Sequence, residues 1–247
     1  MSTPPGSSPV RVAMWSGPRN ISTAMMRSWE NRPDTVVVDE PLYAAYLART
    51  GIDHPGRAEV LASQPTEEAA AVAALAAPLP AGRTVHYAKH MSHHVSEEDL
   101  SWTLAFRNVL LVRDPAEVVA SYVRSREACE PDDIGLLQQL RLWQFWSAHG
   151  VEPPVIDAAD FLRSPEAHLR WLCAWLGIGF TDAMLSWPAG PRASDGVWAP
   201  HWYAAVLSST GFEPWRPRQV ELSAHDAAVA QACRPAYELL HARRLQP

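Results

Sequence analysis

Lysine is almost absent from this chain of 247 residues: of its 21 lysine and arginine residues, only Lys89 is a lysine. The cationic residues are outnumbered by 27 acidic ones, which gives a formal net charge of −6, and they form no basic run. Proteins that bind duplex nucleic acid normally carry a basic face, so we expect no nucleic-acid partner. A small anionic ligand remains compatible with this composition, because its site needs only local positive charge.

Cysteine is also scarce, and the spacing of the three residues fits neither a disulfide framework nor a metal site. Such usage is typical of a reducing compartment and predicts a cytoplasmic protein. No apolar stretch approaches the roughly 20 residues of a membrane span, so we expect no membrane partner. Residues 1–9 lack the charged and apolar regions of a signal peptide, and we expect a flexible tail there.

Short apolar runs alternate with helical patterns along the chain and predict buried strands. These runs cover residues 10–15, 35–39, 83–89, 108–112 and 154–156. Helical patterns lie between them and dominate the C-terminal third, whereas the prolines and glycines of residues 50–65 predict a loop. The alternation predicts an α/β fold: a parallel sheet flanked by helices, in a single domain over residues 10–247 with a helical C-terminal third.

The segment between the first strand and the first helix has the features of an anion site. A helix N-terminus offers unpaired N–H groups and the positive end of the helix dipole. Arg19 adds a positive charge, and Ser22 and Thr23 add hydroxyl donors. The segment differs from the loop of nucleoside triphosphatases, since it contains no lysine and has Ile21 where such loops prefer glycine. These features suit a phosphate or sulfate group; an ordinary turn with a surface arginine is the alternative.

A second candidate anion site follows the strand predicted over residues 108–112. Arg113 lies at its carboxyl end, where strands of open sheets deliver ligand-binding residues. Ser121 lies eight residues further on, about two turns into the helix that opens at Pro115. A local pair of Arg113 with Asp114 is the alternative. Because both candidate sites belong to the same sheet edge, each one strengthens the interpretation of the other.

Together these two segments resemble the sulfotransferase family, whose members take a sulfuryl group from 3′-phosphoadenosine 5′-phosphosulfate (PAPS) and release 3′-phosphoadenosine 5′-phosphate (PAP). In that family a Pro-Lys-Ser-Gly-Thr-Thr loop surrounds the 5′-phosphosulfate, and a strand-end arginine with a serine eight residues later binds the 3′-phosphate. Arg113 and Ser121 match that spacing, and the segment 190–198 is similar to the family's late glycine-rich loop, with Arg192 as the donor. The loop residues that match in order are Pro18, Arg19, Asn20, Ile21, Ser22 and Thr23.

The resemblance implies a P-loop-type fold and a cytoplasmic enzyme similar to bacterial sulfotransferase-like proteins. It implies PAPS as the cofactor and a small-molecule acceptor with a hydroxyl or amino group. Two alternatives stay open: a P-loop-type small-molecule kinase, which needs Mg²⁺, and a non-catalytic nucleotide-binding protein of the same fold. The identity of the acceptor and the oligomeric state stay open as well.

The resemblance also supplies two competing candidates for the general base. In cytosolic sulfotransferases a Lys-Thr-His run carries the base, and His90 matches it in place. Several Golgi-type members use a glutamate from the region of the second strand end, where Glu40 lies. Lys89 is expected either to reach the sulfuryl oxygens or to form a strand-end salt bridge. The trio His90, His93 and His94 has no supporting cysteine or spaced carboxylate set, so we expect no metal.

Tryptophan is abundant, with 11 residues, and most of these side chains are expected in the core. The aromatic cluster at residues 198–203 is the exception, because one or two of these rings could line the acceptor pocket. It predicts a wall of the acceptor pocket. The residues expected to contact the acceptor are Trp198, His201 and Trp202.

Overall fold

The computed structural model describes residues 8–124 and 129–247 and contains a five-stranded sheet. The strands are β1 (Val10–Ser16), β2 (Thr35–Asp39), β3 (Val85–Met91), β4 (Arg107–Val112) and β5 (Val155–Asp157). Their order is β2-β3-β1-β4-β5, and every neighbouring pair runs parallel. All five strands lie where the sequence predicts them, and the α/β fold is confirmed. Residues 1–7 of the expected tail lie outside the described residues.

Helices flank the sheet and follow it in the C-terminal third. Among the described residues, none of them combines the length and the apolar character that a membrane crossing requires. Four turns of 3₁₀-helix lie at Ser92–His94, Ser101–Ala105, Pro131–Ile134 and Asp182–Met184. The α-helices are α1 (Ser22–Glu30), α2 (Tyr43–Thr50), α3 (Arg57–Ser63), α4 (Glu68–Leu75), α5 (Pro115–Tyr122), α6 (Leu136–Ala148), α7 (Ala158–Arg163), α8 (Pro165–Leu176), α9 (Ala199–Trp202), α10 (Ala204–Leu207) and α11 (Ala224–His241).

The expectation of a loop throughout residues 50–65 is wrong, because α3 lies within it. Gly56 takes a left-handed backbone conformation, with φ of 72°, and begins this helix instead of preventing it. Val60 is fully buried and anchors α3 against α2. One buried side chain in seven residues leaves too weak a periodicity for sequence patterns to detect.

The two faces of β1 contribute to two separate parts of the core, because alternate side chains of a strand point to opposite faces. Val12 and Met14 pack with residues of α1 and α8. Ala13 and Trp15 pack with residues of α5, α6 and α11. All four side chains are fully buried, so the sheet is covered on both faces, as a parallel sheet requires.

A third cluster of buried side chains covers the carboxyl edge of the sheet beyond β2. It joins α2, α3 and α9 through Tyr43, Val60 and Trp198. Because all five strands are parallel, their carboxyl ends lie at this same edge. The architecture therefore brings together the residues that follow β1, β2, β3 and β4, where ligands bind in open α/β sheets.

Candidate active site

A cavity of about 400 Å³ opens at the carboxyl edge of the sheet. Its floor consists of residues that follow β1, β2, β3 and β4, and its other walls come from α2 and from the segment 202–218. The polar and aromatic lining residues include Arg19, Ser22, Thr23, Glu40, Tyr43, His54, Lys89, His93, His94, Arg113, Ser121, Trp202, Tyr203 and Arg218. Both anion sites predicted from the sequence thus face one cavity.

The β1–α1 loop is held in one conformation by contacts to the end of β4. Asn20 donates a hydrogen bond to the Leu111 carbonyl (3.0 Å), and its side-chain oxygen accepts from the Ile21 N–H (2.8 Å). Arg113 Nη1 donates to the Arg19 carbonyl (2.7 Å). Arg19 adopts the left-handed conformation, with φ of 54°, whereas Ile21 has an ordinary φ of −85°. The strained position is therefore residue 19, and the loop accepts isoleucine at position 21 without strain.

The N-terminus of α1 points its free donors into this cavity. The helix begins at Ser22, and the first N–H groups of a helix have no acceptor within it. Its first turn contains no acidic residue that would neutralise the helix dipole. Ser22, Thr23 and Ala24 all line the cavity, so the backbone offers an anion site there.

Arginine side chains make the same end of the cavity strongly cationic. Arg19 Nε donates to Ser121 Oγ (3.1 Å), and Arg113 forms an ion pair with Glu117 (2.8 Å). Burial, together with the like charges of Arg124 and Arg113, lowers the pKa of Arg19. Within residues 8–124 and 129–247, Glu117 is the one carboxylate paired with these cations, so a bound anion would relieve their repulsion.

The opposite end of the cavity contains the only lysine of the chain in a network of buried hydrogen bonds. Lys89 Nζ donates to Asp39 Oδ1 (2.8 Å), Glu40 Oε1 (2.7 Å) and Tyr203 OH (2.6 Å). Tyr203 OH in turn donates to Asp39 Oδ2 (2.6 Å), and Trp198 Nε1 donates to Tyr203 OH (3.1 Å). We name Lys89, Asp39, Glu40 and Tyr203 the lysine network. All three ammonium hydrogens have acceptors within it.

Charges within the lysine network fix the protonation of its members. Burial opposes the ammonium charge of Lys89, but Asp39 and Glu40 outweigh it and hold the pKa of Lys89 well above its usual value. Burial raises the pKa of Glu40. The attraction of Lys89 lowers that pKa only in part, and the repulsion by Asp39 raises it further. Glu40 is therefore a stronger base than a solvent-exposed glutamate.

The backbone at Glu40 is strained in a way that directs its carboxylate. Glu40 has a left-handed φ of 40° although Pro41 follows it, a combination that sterics disfavour. Its N–H donates to the Lys89 carbonyl (2.9 Å), and Gln64 Nε2 donates to its carbonyl (3.2 Å). These contacts hold the chain in the strained conformation, which turns the side chain towards the cavity.

His90 lies on the other face of β3, in the core and not in the cavity wall. Its ring is 1% exposed and stacks on Trp15 at a centroid distance of 4.2 Å. Neither ring nitrogen has a hydrogen-bond partner in the part of the chain that the structure describes. Burial, with a smaller contribution from His86, lowers the pKa of His90 to about 3. Because β3 continues as far as Met91, the adjacent side chains of Lys89 and His90 point to opposite faces of the sheet. The structure therefore gives His90 no path to an acceptor.

The residues expected at the acceptor wall and in the late loop have different positions. Trp202 lines the cavity, but Trp198 is buried behind Tyr203, and His201 is exposed beside Gly56. Arg192 does not line the cavity and lies 3.6 Å from Glu30. Arg218, from the extended segment after α10, lines the cavity instead.

Sequence reasoning missed a group of aromatic and imidazole rings in the wall. His94 stacks between Tyr43 and Tyr46, with centroid distances of 4.6 and 4.7 Å. His54 Nδ1 shares a hydrogen bond with Tyr43 OH. Helix α2 delivers the tyrosines, and its first residues follow directly from the strained turn at Glu40. The one signal for these rings in the sequence is the position of the tyrosines, just after the residues that end β2.

One group of residues outside the cavity has the composition of a metal site. Among the described residues, ligand atoms of Asp157, Asp160 and His241 lie within 4.8 Å of one another. Arg244 Nε donates to Asp160 (2.7 Å), and Tyr237 OH donates to Asp157 (3.0 Å). Asp160 thus already has a guanidinium partner, and Asp157 already accepts a hydrogen bond.

Sequence comparisons identify relatives over nearly the whole chain. The family described as Sulfotransferase domain matches residues 10–244. Two Arabidopsis thaliana proteins, Branched-chain-amino-acid aminotransferase-like proteins 1 and 2, are 36% and 34% identical over 241 and 238 residues, which cover 94% and 93% of this chain. The matches cover only 42% and 41% of these relatives, so the chain spans less than half their length.

Solved structures share the fold at low sequence identity. The sulfotransferase domain from the curacin biosynthetic pathway has a TM-score of 0.53 at 16% identity, and 92% of this chain and 98% of that domain are covered. A sulfotransferase from Alicyclobacillus acidocaldarius has a TM-score of 0.53 at 14% identity, with 97% and 98% covered. The sulfotransferase domain from the Synechococcus PCC 7002 olefin synthase has a TM-score of 0.51 at 16% identity, and 94% of this chain and 97% of that domain are covered.

The buried His90 is expected to make the fold sensitive to acid. Its pKa of about 3 in the fold lies below the ordinary 6.5, so the unfolded chain takes up the proton first as the pH falls. Stability therefore decreases below about pH 6.5, by roughly 2–3 kcal/mol at about pH 4.5. His90→Phe keeps the stack on Trp15 and should reduce the loss of unfolding free energy in denaturant titrations at about pH 7.5 and 4.5. The exposed control His225→Phe should lose as much unfolding free energy between the two pH values as the wild type does. An equal loss in His90→Phe would contradict the assignment of the acid sensitivity to His90.

Removing the ammonium group of Lys89 leaves two buried carboxylates without their cation. We expect Lys89→Met to lower the free energy of unfolding by about 3–5 kcal/mol, measured by denaturant titration. Adding Asp39→Asn and Glu40→Gln to that variant should recover part of the loss, because the repulsion disappears. Lys89→Arg keeps the charge but not the compact shape, and should also be destabilised. Wild-type stability in Lys89→Arg would show that the lone lysine has no special role.

Proposed function

This chain belongs to the sulfotransferase domain family, and from that premise we propose that it transfers a sulfuryl group from PAPS to a hydroxyl or amino group of a small molecule. The observation that carries the proposal is the polarity of the cavity. Its cationic end holds Arg19, Arg113 and the N-terminus of α1, and its acidic end holds Glu40. A donor with two anionic groups fits the first end, and an acceptor that must lose a proton fits the second.

The residues at the cationic end fit PAPS by their chemistry. PAPS supplies the activated sulfuryl group when bound, and PAP is the product that leaves. The loop residues 18–23, with the first N–H groups of α1, would hold the 5′-phosphosulfate. Arg113 and the Ser121 hydroxyl would hold the 3′-phosphate. Burial, followed by the charges of Arg124 and Arg113, lowers the pKa of Arg19, and a bound anion would offset both effects.

The late-loop donor in this proposal is Arg218, in place of Arg192. Arg218 lines the cavity, whereas Arg192 pairs with Glu30. Arg218 is exposed and lies on the segment without regular structure after α10. Its guanidinium group can reach a bound anion without breaking a buried ion pair.

Glu40 serves as the general base, and Lys89 positions it. The Glu40 carboxylate lines the cavity and has a raised pKa, whereas His90 is enclosed in the core. The three donors of Lys89 are used within the lysine network, so its role is to fix Oε1 of Glu40. Oε2 is then the oxygen that accepts a proton from the acceptor.

The wall opposite the cofactor end suits a small acceptor with apolar surface. Trp202, Tyr43, His54 and Val206 contribute rings and an aliphatic side chain to it. The printed names of the two plant relatives refer to an aminotransferase-like protein, but more than half of each relative lies outside the matched region. The acceptor proposed here therefore rests on the cavity and not on those names.

Nucleotide binding separates this proposal from the alternatives. PAP should raise the melting temperature more than AMP or ATP with Mg²⁺, because two anion sites face the cavity. Arg113→Gln and Arg218→Gln should each weaken PAP binding about 10- to 100-fold through lost charge-assisted hydrogen bonds. Arg192→Gln is the matched control and should bind as the wild type does. Stabilisation by ATP with Mg²⁺ alone would favour a kinase and contradict the proposal.

Turnover tests the base. Glu40→Gln, which is isosteric, should reduce the release of PAP from PAPS about 10²- to 10⁴-fold while PAP binding is retained. PAP release is followed by chromatography, with a panel of phenols, alcohols and amines as acceptors. His90→Phe should keep its turnover. Full turnover in Glu40→Gln would eliminate Glu40, and PAP binding without turnover in the wild type would favour the non-catalytic alternative.

A further inference from the structure

His94 presents a buried nitrogen that has no hydrogen-bond partner, close to the candidate base. Its side chain is 4% exposed and lines the cavity. Its Nδ1 makes no hydrogen bond within the described residues and lies 4.0 Å from Glu40 Oε2. A buried polar atom is costly to leave without a partner, so this atom marks a place where a polar group binds.

The direction of the His94 ring is fixed by its stacking. Tyr43 lies on one side, with an interplanar angle of 14°, and Tyr46 lies on the other, with an angle of 23°. Burial, with the charges of His93, His54, Lys89 and His90, lowers the pKa of His94 well below its ordinary value. The ring is thus a neutral imidazole held in one orientation, with one N–H donor and one acceptor nitrogen.

The 4.0 Å between Glu40 Oε2 and His94 Nδ1 is too long for a direct hydrogen bond. One oxygen atom placed about 2.8 Å from each of them completes both contacts. The other carboxylate oxygen, Oε1, already accepts from Lys89, so the carboxylate cannot turn without breaking that bond. The pair therefore has a fixed spacing that fits a single bridging atom.

We propose that Glu40 Oε2 and His94 Nδ1 form a two-point site for the nucleophilic hydroxyl group of the acceptor, an inference that rests on the proposed function. The hydroxyl donates its hydrogen to Glu40 and accepts a hydrogen bond from His94. A second lone pair of the oxygen remains for the attack on sulfur. An amine has one lone pair, which must face the sulfur, so it has none left for His94. The site therefore favours alcohols and phenols over amines.

The transfer balances at this site. The hydroxyl proton moves to Glu40 Oε2, a bond forms between the acceptor oxygen and the sulfur of PAPS, and the bond between sulfur and the phosphate oxygen breaks. The electron pair of the broken bond stays on the phosphate of PAP. His94 keeps its proton throughout and orients the oxygen. It is a catalytic residue in the sense that it touches the reacting atom.

A crystal structure of the protein with PAP tests the site independently of turnover. Without an acceptor, a water molecule should occupy the bridging position, within hydrogen-bond distance of Glu40 Oε2 and His94 Nδ1. A direct hydrogen bond between the two side chains, or a bridging position without water, would overturn the proposal.

Kinetics test the role of His94 with water as the nucleophile. His94→Phe keeps the stack between the tyrosines and removes Nδ1; it should lower kcat for hydrolysis of PAPS to PAP and sulfate about 10²-fold, with KM for PAPS unchanged. His94→Asn, which restores a donor, should recover part of kcat. His86→Phe is the control, because His86 is also a buried histidine with an unpartnered Nδ1, but it lies near the amino end of β3.

The outcomes separate this inference from the proposed function. Bridging water together with a loss of kcat in His94→Phe supports both. Bridging water in a protein that does not turn over PAPS supports the two-point site and contradicts the proposed activity. Full kcat in His94→Phe, or an equal loss in His86→Phe, would overturn the role of His94 while leaving the activity in place.

Discussion

One buried ammonium group holds the carboxyl edge of this sheet together. Lys89, at the end of β3, binds Asp39 and Glu40, which follow the neighbouring strand β2, and Tyr203, which comes from the C-terminal third. Two carboxylates this close would repel each other in a low-dielectric interior, so their position depends on the shared cation. The same network attaches the late segment, since the Gly196 N–H also donates to Asp39 (3.1 Å).

This arrangement gives the cavity its two unlike ends. The network carries two carboxylates and one cation, so its net charge is negative, whereas Arg19, Arg113 and the N-terminus of α1 make the other end positive. A polyanionic donor such as the one proposed would be attracted to one end and repelled by the other, which would fix its orientation. An acidic protein can therefore bind a polyanion, because the local field and not the net charge of −6 decides.

The strands are predicted well from the sequence because they depend on a local pattern, the buried apolar run. The residues that follow these runs line one cavity, as the sequence pattern indicates, and their binding of anions stays a prediction. Sequence reasoning fails where tertiary geometry decides. Alternation along β3 sends Lys89 to the cavity and His90 to the core, and that depends on the strand continuing through Met91. Ile21 stands where related loops prefer glycine, but the left-handed backbone conformation in this loop is at Arg19, two residues earlier. Arg218 lines the cavity and Arg192 does not. That difference depends on the path of a segment without regular structure, which carries no periodicity.

The proposed base Glu40 and the proposed role of His94 both depend on the protonation of the Glu40 carboxyl group. Carbon-13 NMR of the glutamate side chains, with Glu40→Gln to assign the signal, measures the pKa of that carboxyl group in the intact protein. We expect a midpoint above the ordinary 4.5, caused by burial and by Asp39. We also expect the Lys89 ammonium to stay charged throughout the titration. A Glu40 midpoint at or below 4.5 would contradict the proposed role of Glu40 as the base.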